Sequence, residues 1–147
     1  MTSHKHHQSG LAAVELAITL PILLLLLVGV SELGRAMIQY NTLNKAVQNG
    51  ARYAITDIYG TNSATQLADS TNIKNIVIYG NKGGTGTKVL HNLTASDVSI
   101  NQSGNYVTIT ASYNFTPHFA KLPSFFGYGG DSLSFGFSAS TAMRTSP

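Results

Sequence analysis

One carboxylate stands alone in apolar surroundings. Between Leu11 and Val30 the only charged residue is Glu15. On insertion scales a comparable charge in a membrane helix costs about 2.5–3.5 kcal/mol, so such a residue is by default a functional candidate. The plainer alternative is that Glu15 merely sits near the headgroups and snorkels. The chain has six Asp and Glu residues. Glu32 flanks the apolar stretch, and Asp57, Asp69, Asp97 and Asp131 are too scattered to nominate an acid–base pair. There is no cysteine, which excludes a disulfide framework, a thiolate metal site and a cysteine nucleophile. His4, His6 and His7 cluster near the N-terminus and read as part of a basic tail, while His91 and His118 are isolated. Convergent metal ligands are therefore not expected. The glycines around Gly83 lack the Gly-x-x-x-x-Gly-Lys-Ser/Thr spacing of a phosphate loop, and no Gly-x-Ser-x-Gly elbow occurs. The nine Lys and Arg residues form no run, so no nucleic acid is expected as a partner. The expectation is a protein without catalytic residues, metal or cofactor, and not an enzyme.

Glu15 is carried by a stretch of the length a bilayer core requires. About 20 apolar residues in a helix cover roughly 30 Å. Pro21 lies within it, which a membrane helix tolerates better than a soluble one. Three readings compete. A signal peptide cut after the stretch needs small residues at the cut, and Gly29-Val30-Ser31 is a poor candidate. A plain uncleaved anchor is held by Lys5 and its neighbouring histidines on the cytoplasmic side. In the third reading a short leader, Met1 to Gly10, is cut before the stretch and the apolar helix is kept. Only this reading uses both Gly10 and Glu15, the fifth residue after the Gly10–Leu11 bond. That Gly-x-x-x-x-Glu spacing resembles the substrates of prepilin peptidases.

The resemblance extends further along the chain. Gly10-Leu11-Ala12-Ala13-Val14-Glu15-Leu16-Ala17, then Leu20-Pro21-Ile22-Leu23-Leu24-Leu25, Glu32-Leu33-Gly34-Arg35 and Gly50-Ala51-Arg52-Tyr53-Ala54 together resemble the TadE-like minor pilins of tight-adherence (Flp-type) pili. The likeness covers roughly residues 10–55, with a weaker echo near the C-terminal end. Leu16 and Leu33 stand where that family often has an aromatic residue. The resemblance implies cleavage between Gly10 and Leu11. It also implies that Glu15 meets the new N-terminal amine of a neighbouring subunit as a filament assembles.

Beyond Val30 the apolar pattern continues through Leu33, Met37, Tyr40, Val47, Ala51, Ala54 and Ile58, with a gap at Asn44. Spacings of three and four make one stripe on a helix. It either packs on the chain's own sheet, which suits the second half, or forms a seam with another pilin helix in which Asn44 sets the register. A helix from about Ala12 to about Ile58 would be roughly 70 Å long, and Gly60 would stop it.

Residues 61–80 are ambiguous. Ile76-Val77-Ile78-Tyr79 has strand propensity, but Asp69 or Ser70 could cap a short helix and Gly80 could end it; helix is the preferred reading. Residues 81–88 are loop by composition. Val98 and Ile100, a turn at Ser103-Gly104-Asn105, the alternating run Val107–Phe115 and a second run from Leu133 to Met143 predict antiparallel strands with one buried face. The loop between Thr116 and Asp131 holds Phe119, Leu122, Phe125, Phe126 and Tyr128. These are either a contact surface or a cover for the sheet edge.

The expected architecture is thus α+β and pilin-like, a long N-terminal helix packed on a small antiparallel sheet. It comprises a leader (1–10), a membrane helix (11–30), an extracytoplasmic amphipathic helix (31–60) and an α+β soluble domain (61–147). By resemblance the partners are a prepilin peptidase, other minor pilins, the major pilin and the assembly platform in the bacterial inner membrane. The N-terminus would be cytoplasmic and the C-terminal domain outside, serving adherence. The alternatives are a filament-tip adhesin that uses the aromatic loop as its binding face, and a pseudopilin of a secretion or DNA-uptake machine.

Overall fold

The structure, a computed structural model, describes residues 6–56, 67–118 and 134–145, with side chains from Gly10 onward. The chain divides into two compact units, with the boundary between Arg35 and Ala36. One helix, α1 (His6–Thr56), contains that boundary, and Pro21 lies inside it. The expected end near Ile58 and the stop at Gly60 lie outside the described residues.

In unit 1, α1 is solvent-facing all round. Residues 10–27 are all exposed, as are Gly29 and Val30. Leu11 is 74% exposed, Leu27 67% and Val30 71%. An 18-residue window of this helix has a mean hydropathy of 2.6, and none of it is buried. A helix that is apolar on every side and covered by nothing of its own suits hydrocarbon surroundings rather than water. Its length and composition are those of a single-pass membrane protein.

Unit 2 is built round a hydrophobic core to which every described element contributes except the short 3-10 turn. From α1 come Ala36, Leu43, Ala46, Val47, Ala51 and Ala54, all nearly or fully buried. Most are alanines, so the helix axis approaches its neighbours closely. Gly50 marks the closest pass: a Cβ built there would lie 2.5 Å from Cγ2 of Val77. The expected stripe therefore splits. Val47, Ala51 and Ala54 are buried as the sheet-packing reading required, whereas Leu33, Met37 and Tyr40 are 59%, 62% and 43% exposed.

Val77 belongs to α2 (Ser70–Tyr79), the helix preferred from sequence. Asp69 caps it by accepting a hydrogen bond from Thr71 N at 2.8 Å. Gly80 closes it in the left-handed conformation (φ 72°) and donates its N–H to Ile76 O. The local capping chemistry overrides the strand propensity of Ile76–Tyr79, because Ile73 and Val77 share the face that meets the core. Residues 81–88 were expected to be loop, and the irregular backbone runs on to Thr94. The continuation past Lys88 sends Leu90 and Leu93 into the core, which composition did not foresee. A 3-10 turn (Ala95–Asp97) then leads into the sheet.

The sheet has three antiparallel strands in the order β1 (Val98–Ser103), β2 (Tyr106–Phe115) and β3 (Phe135–Arg144). A tight hairpin joins β1 to β2, and Gly104 (φ 56°) occupies a turn position that favours glycine. The alternation holds: Val107, Ile109, Ala111, Tyr113 and Phe115 face the core. The opposite face pairs Ser99 with Thr110, Thr110 with Ser140 and Ser112 with Ser138. The Thr110 and Ser140 hydroxyls lie 2.9 Å apart. The fold is α+β, as expected.

Candidate functional site

The residues singled out from the sequence sit on α1. Leu11 and Glu15 are four apart, so they share one helix face about a turn from each other. Both are exposed, as are the surrounding Val14, Leu16 and Ile18. Thr19 Oγ1 donates to the Glu15 carbonyl at 2.9 Å, a local bond that leaves the carboxylate unused. The main chain at Gly10 is open: an added Cβ would meet no heavy atom within 4 Å. The helix therefore presents a glycine, an apolar residue and a carboxylate within about one and a half accessible turns.

At the other end of the apolar stretch the charges are satisfied within the chain. Arg35 Nη2 lies 2.6 Å from Glu32 Oε2 and Nε lies 3.1 Å from the same oxygen. Both side chains are partly buried. Opposite charges three apart on a helix are the usual signal of such a pair, which the family likeness of these residues alone did not bring out. Asn44 is half-buried. His91 and His118 are exposed and stand far apart in sequence, and among the described residues no three His, Asp or Glu converge as metal ligands. Phe119, Phe125, Phe126 and Tyr128 lie outside the described residues. A shallow hollow at one end of the sheet, lined by Asp97, Ser112, Asn114 and Ser138 among others, brings together no groups of catalytic character.

Residues 10–52 match the family described as TadE-like protein. The matched segment opens at Gly10 and includes Glu15, the Glu32–Arg35 pair and Gly50. It takes in nearly all of α1 and stops before α2, so the C-terminal echo lies outside it. No curated protein and no solved structure matches the chain. Over those residues the chain is similar to that family, and the apolar helix within them has the length and composition of a single membrane span.

Proposed function

We propose that the chain is a minor pilin of the TadE-like kind, cut by a prepilin peptidase between Gly10 and Leu11 and acting in assembly of a Tad-type pilus for adherence. The observation that carries this reading is the family match starting at Gly10 and running through Glu15 on a fully exposed apolar helix. Before assembly the helix from Leu11 to Val30 is held in the inner membrane, with unit 2 on the extracytoplasmic side. Glu15 then pairs with the N-terminal amine of a neighbouring subunit. In hydrocarbon such a pair offsets the cost of the lone carboxylate, so the apolar setting makes the contact selective for an arriving subunit. Partners are the peptidase, other minor pilins, the major pilin and the assembly platform. The chain itself performs no catalysis.

The test is the N-terminus of the mature protein in its native cell, read by mass spectrometry beside Gly10→Val and Glu15→Gln. Gly10→Val adds its side chain in open space, so failure to process would reflect the peptidase and not the fold. A start at Leu11 that is lost in Gly10→Val, with Glu15→Gln processed but absent from pili, is the expected result. An unprocessed wild-type chain starting at Met1 would overturn the proposal.

A further inference from the structure

The sheet ends at β3 with one side of its backbone unpaired. Which groups face that side follows from the register. Thr145 donates its N–H to Asn105 O at 2.8 Å, one step beyond the paired residues Tyr106 and Arg144. Backbone groups alternate in direction along an antiparallel strand, so the odd-numbered residues of β3 turn theirs toward β2. The even-numbered residues Gly136, Ser138, Ser140, Ala142 and Arg144 turn their N–H and C=O groups to the open edge. The Thr110 and Ser140 hydroxyls agree with this: a separation of 2.9 Å suits the closer, non-hydrogen-bonded kind of cross-strand pair. All five residues are exposed, and among the described residues no strand or loop backbone pairs with them on that side.

Natural sheets guard such edges with lysine, proline, a bulge or a very short strand. β3 has none of these. It runs for 10 residues, pairs with β2 without a break in register, and carries its only charge, Arg144, at its end. We propose that the outer edge of β3 is a docking site for an extended segment of a different polypeptide, which adds to the sheet as a further strand. Two observations give the chemistry of that segment. First, the core side of β3 is only partly covered. Ala139 is buried, but Phe137, Thr141 and Met143 are half-buried and Phe135 is 48% exposed. A strand with apolar side chains at alternate positions would extend the cover over them, with polar residues on its other face. Second, Arg144 has no ion pair among the described residues, so a carboxylate placed across from it would fix the register. This second point argues against a second copy of the chain as the occupant. Its own edge strands, β1 and β3, contain no Asp or Glu. The inference stands on unit 2 alone and is independent of how the N-terminus is processed.

The probe is a synthetic peptide with the sequence of residues 106–115, which has the required alternation and already pairs with the other side of β3. Its Tyr106 is replaced by glutamate, which antiparallel pairing can set across from Arg144. A control peptide is N-methylated at every second residue, on the nitrogens that would face β3. Each is added to the full chain in detergent, and backbone amide exchange is followed by nuclear magnetic resonance. The unmodified peptide should slow exchange at Ser138, Ser140 and Ala142, and the methylated one should not. Ser140→Pro removes one edge N–H and leaves the ladder to β2 intact, a placement that edge strands tolerate. It should weaken peptide binding about tenfold, the effect of roughly one hydrogen bond, while the urea midpoint stays near that of the wild type. No slowing with either peptide, or equal slowing with both, would overturn the proposal whether or not the proline variant folds. Slow exchange at these amides before any peptide is added would also overturn it. If dilution restores exchange, a second copy covers the edge; if it does not, the chain covers its own edge.

Discussion

Replacing Gly50 with alanine sets two known effects against each other. In a helix interior alanine is favoured over glycine by about 1 kcal/mol. At Gly50 the added methyl carbon would lie 2.5 Å from Val77 Cγ2, with Ile109 Cδ1 and the Ile73 carbonyl both at 3.7 Å. Restoring ordinary contact requires a displacement of about 1 Å in a close-packed core. Val77 is fully buried and, as a β-branched residue in a helix, has one strongly preferred rotamer. The helices must therefore part, and overpacking of this kind costs about 1–3 kcal/mol. The expected net result is a loss of up to about 2 kcal/mol, against the sign that helix propensity alone would give. The assay is urea unfolding of the full chain in detergent, followed by near-ultraviolet circular dichroism of its tyrosines. A double variant sharpens it. Val77→Ala alone should cost about 2 kcal/mol from lost burial, but with Gly50→Ala the methyl finds room, so the combined loss should fall well below the sum. A Gly50→Ala protein more stable than wild type, or strictly additive losses, would refute the close approach of α1 and α2.

Two further substitutions probe the same unit by the same unfolding assay. Asp69→Ala removes the cap on Thr71 N and should cost about 1 kcal/mol; an unchanged midpoint would mean that α2 does not depend on its cap. Phe115→Ala empties the site of a ring that is 1% exposed and should cost about 3–5 kcal/mol. For a domain of this size that is a large share of its stability, and a loss under about 1 kcal/mol would show that the core closes over the gap.

The readable parts of this fold are those where one physical signal dominates. The stretch from Leu11 is long and nearly uncharged, so its length alone suggests a spanning helix. Val107 to Phe115 alternates without interruption, and a period of two has no helical rival over that length. Asp69 and Gly80 frame α2 with a cap at each end, which decided a segment whose interior favoured strand. The positions that were missed carry weak signals. Ala36, Ala46 and Gly50 are buried because they are small, and a search for large apolar residues passes over them. Leu90 and Leu93 enter the core from a segment without periodicity, where burial depends on tertiary contacts alone. Leu33, Met37 and Tyr40 follow the same spacing as Val47, Ala51 and Ala54 yet stay exposed. Spacing fixes which side of the helix a residue occupies, not whether something packs there. At the candidate site the spacing of Gly10 and Glu15 is visible in the residues alone, whereas the pairing of Glu32 with Arg35 required side-chain geometry.

The outward face of the sheet carries hydroxyls and amides across its middle, from Ser99 through Thr110 to Ser140. Such groups neither titrate in the range that carboxylates and imidazoles do nor attract a cloud of counter-ions. A rise in salt or a fall in pH would leave this face with the same electrostatic character. Any neighbour docked there would be held by short, directional bonds whose strength depends little on the medium.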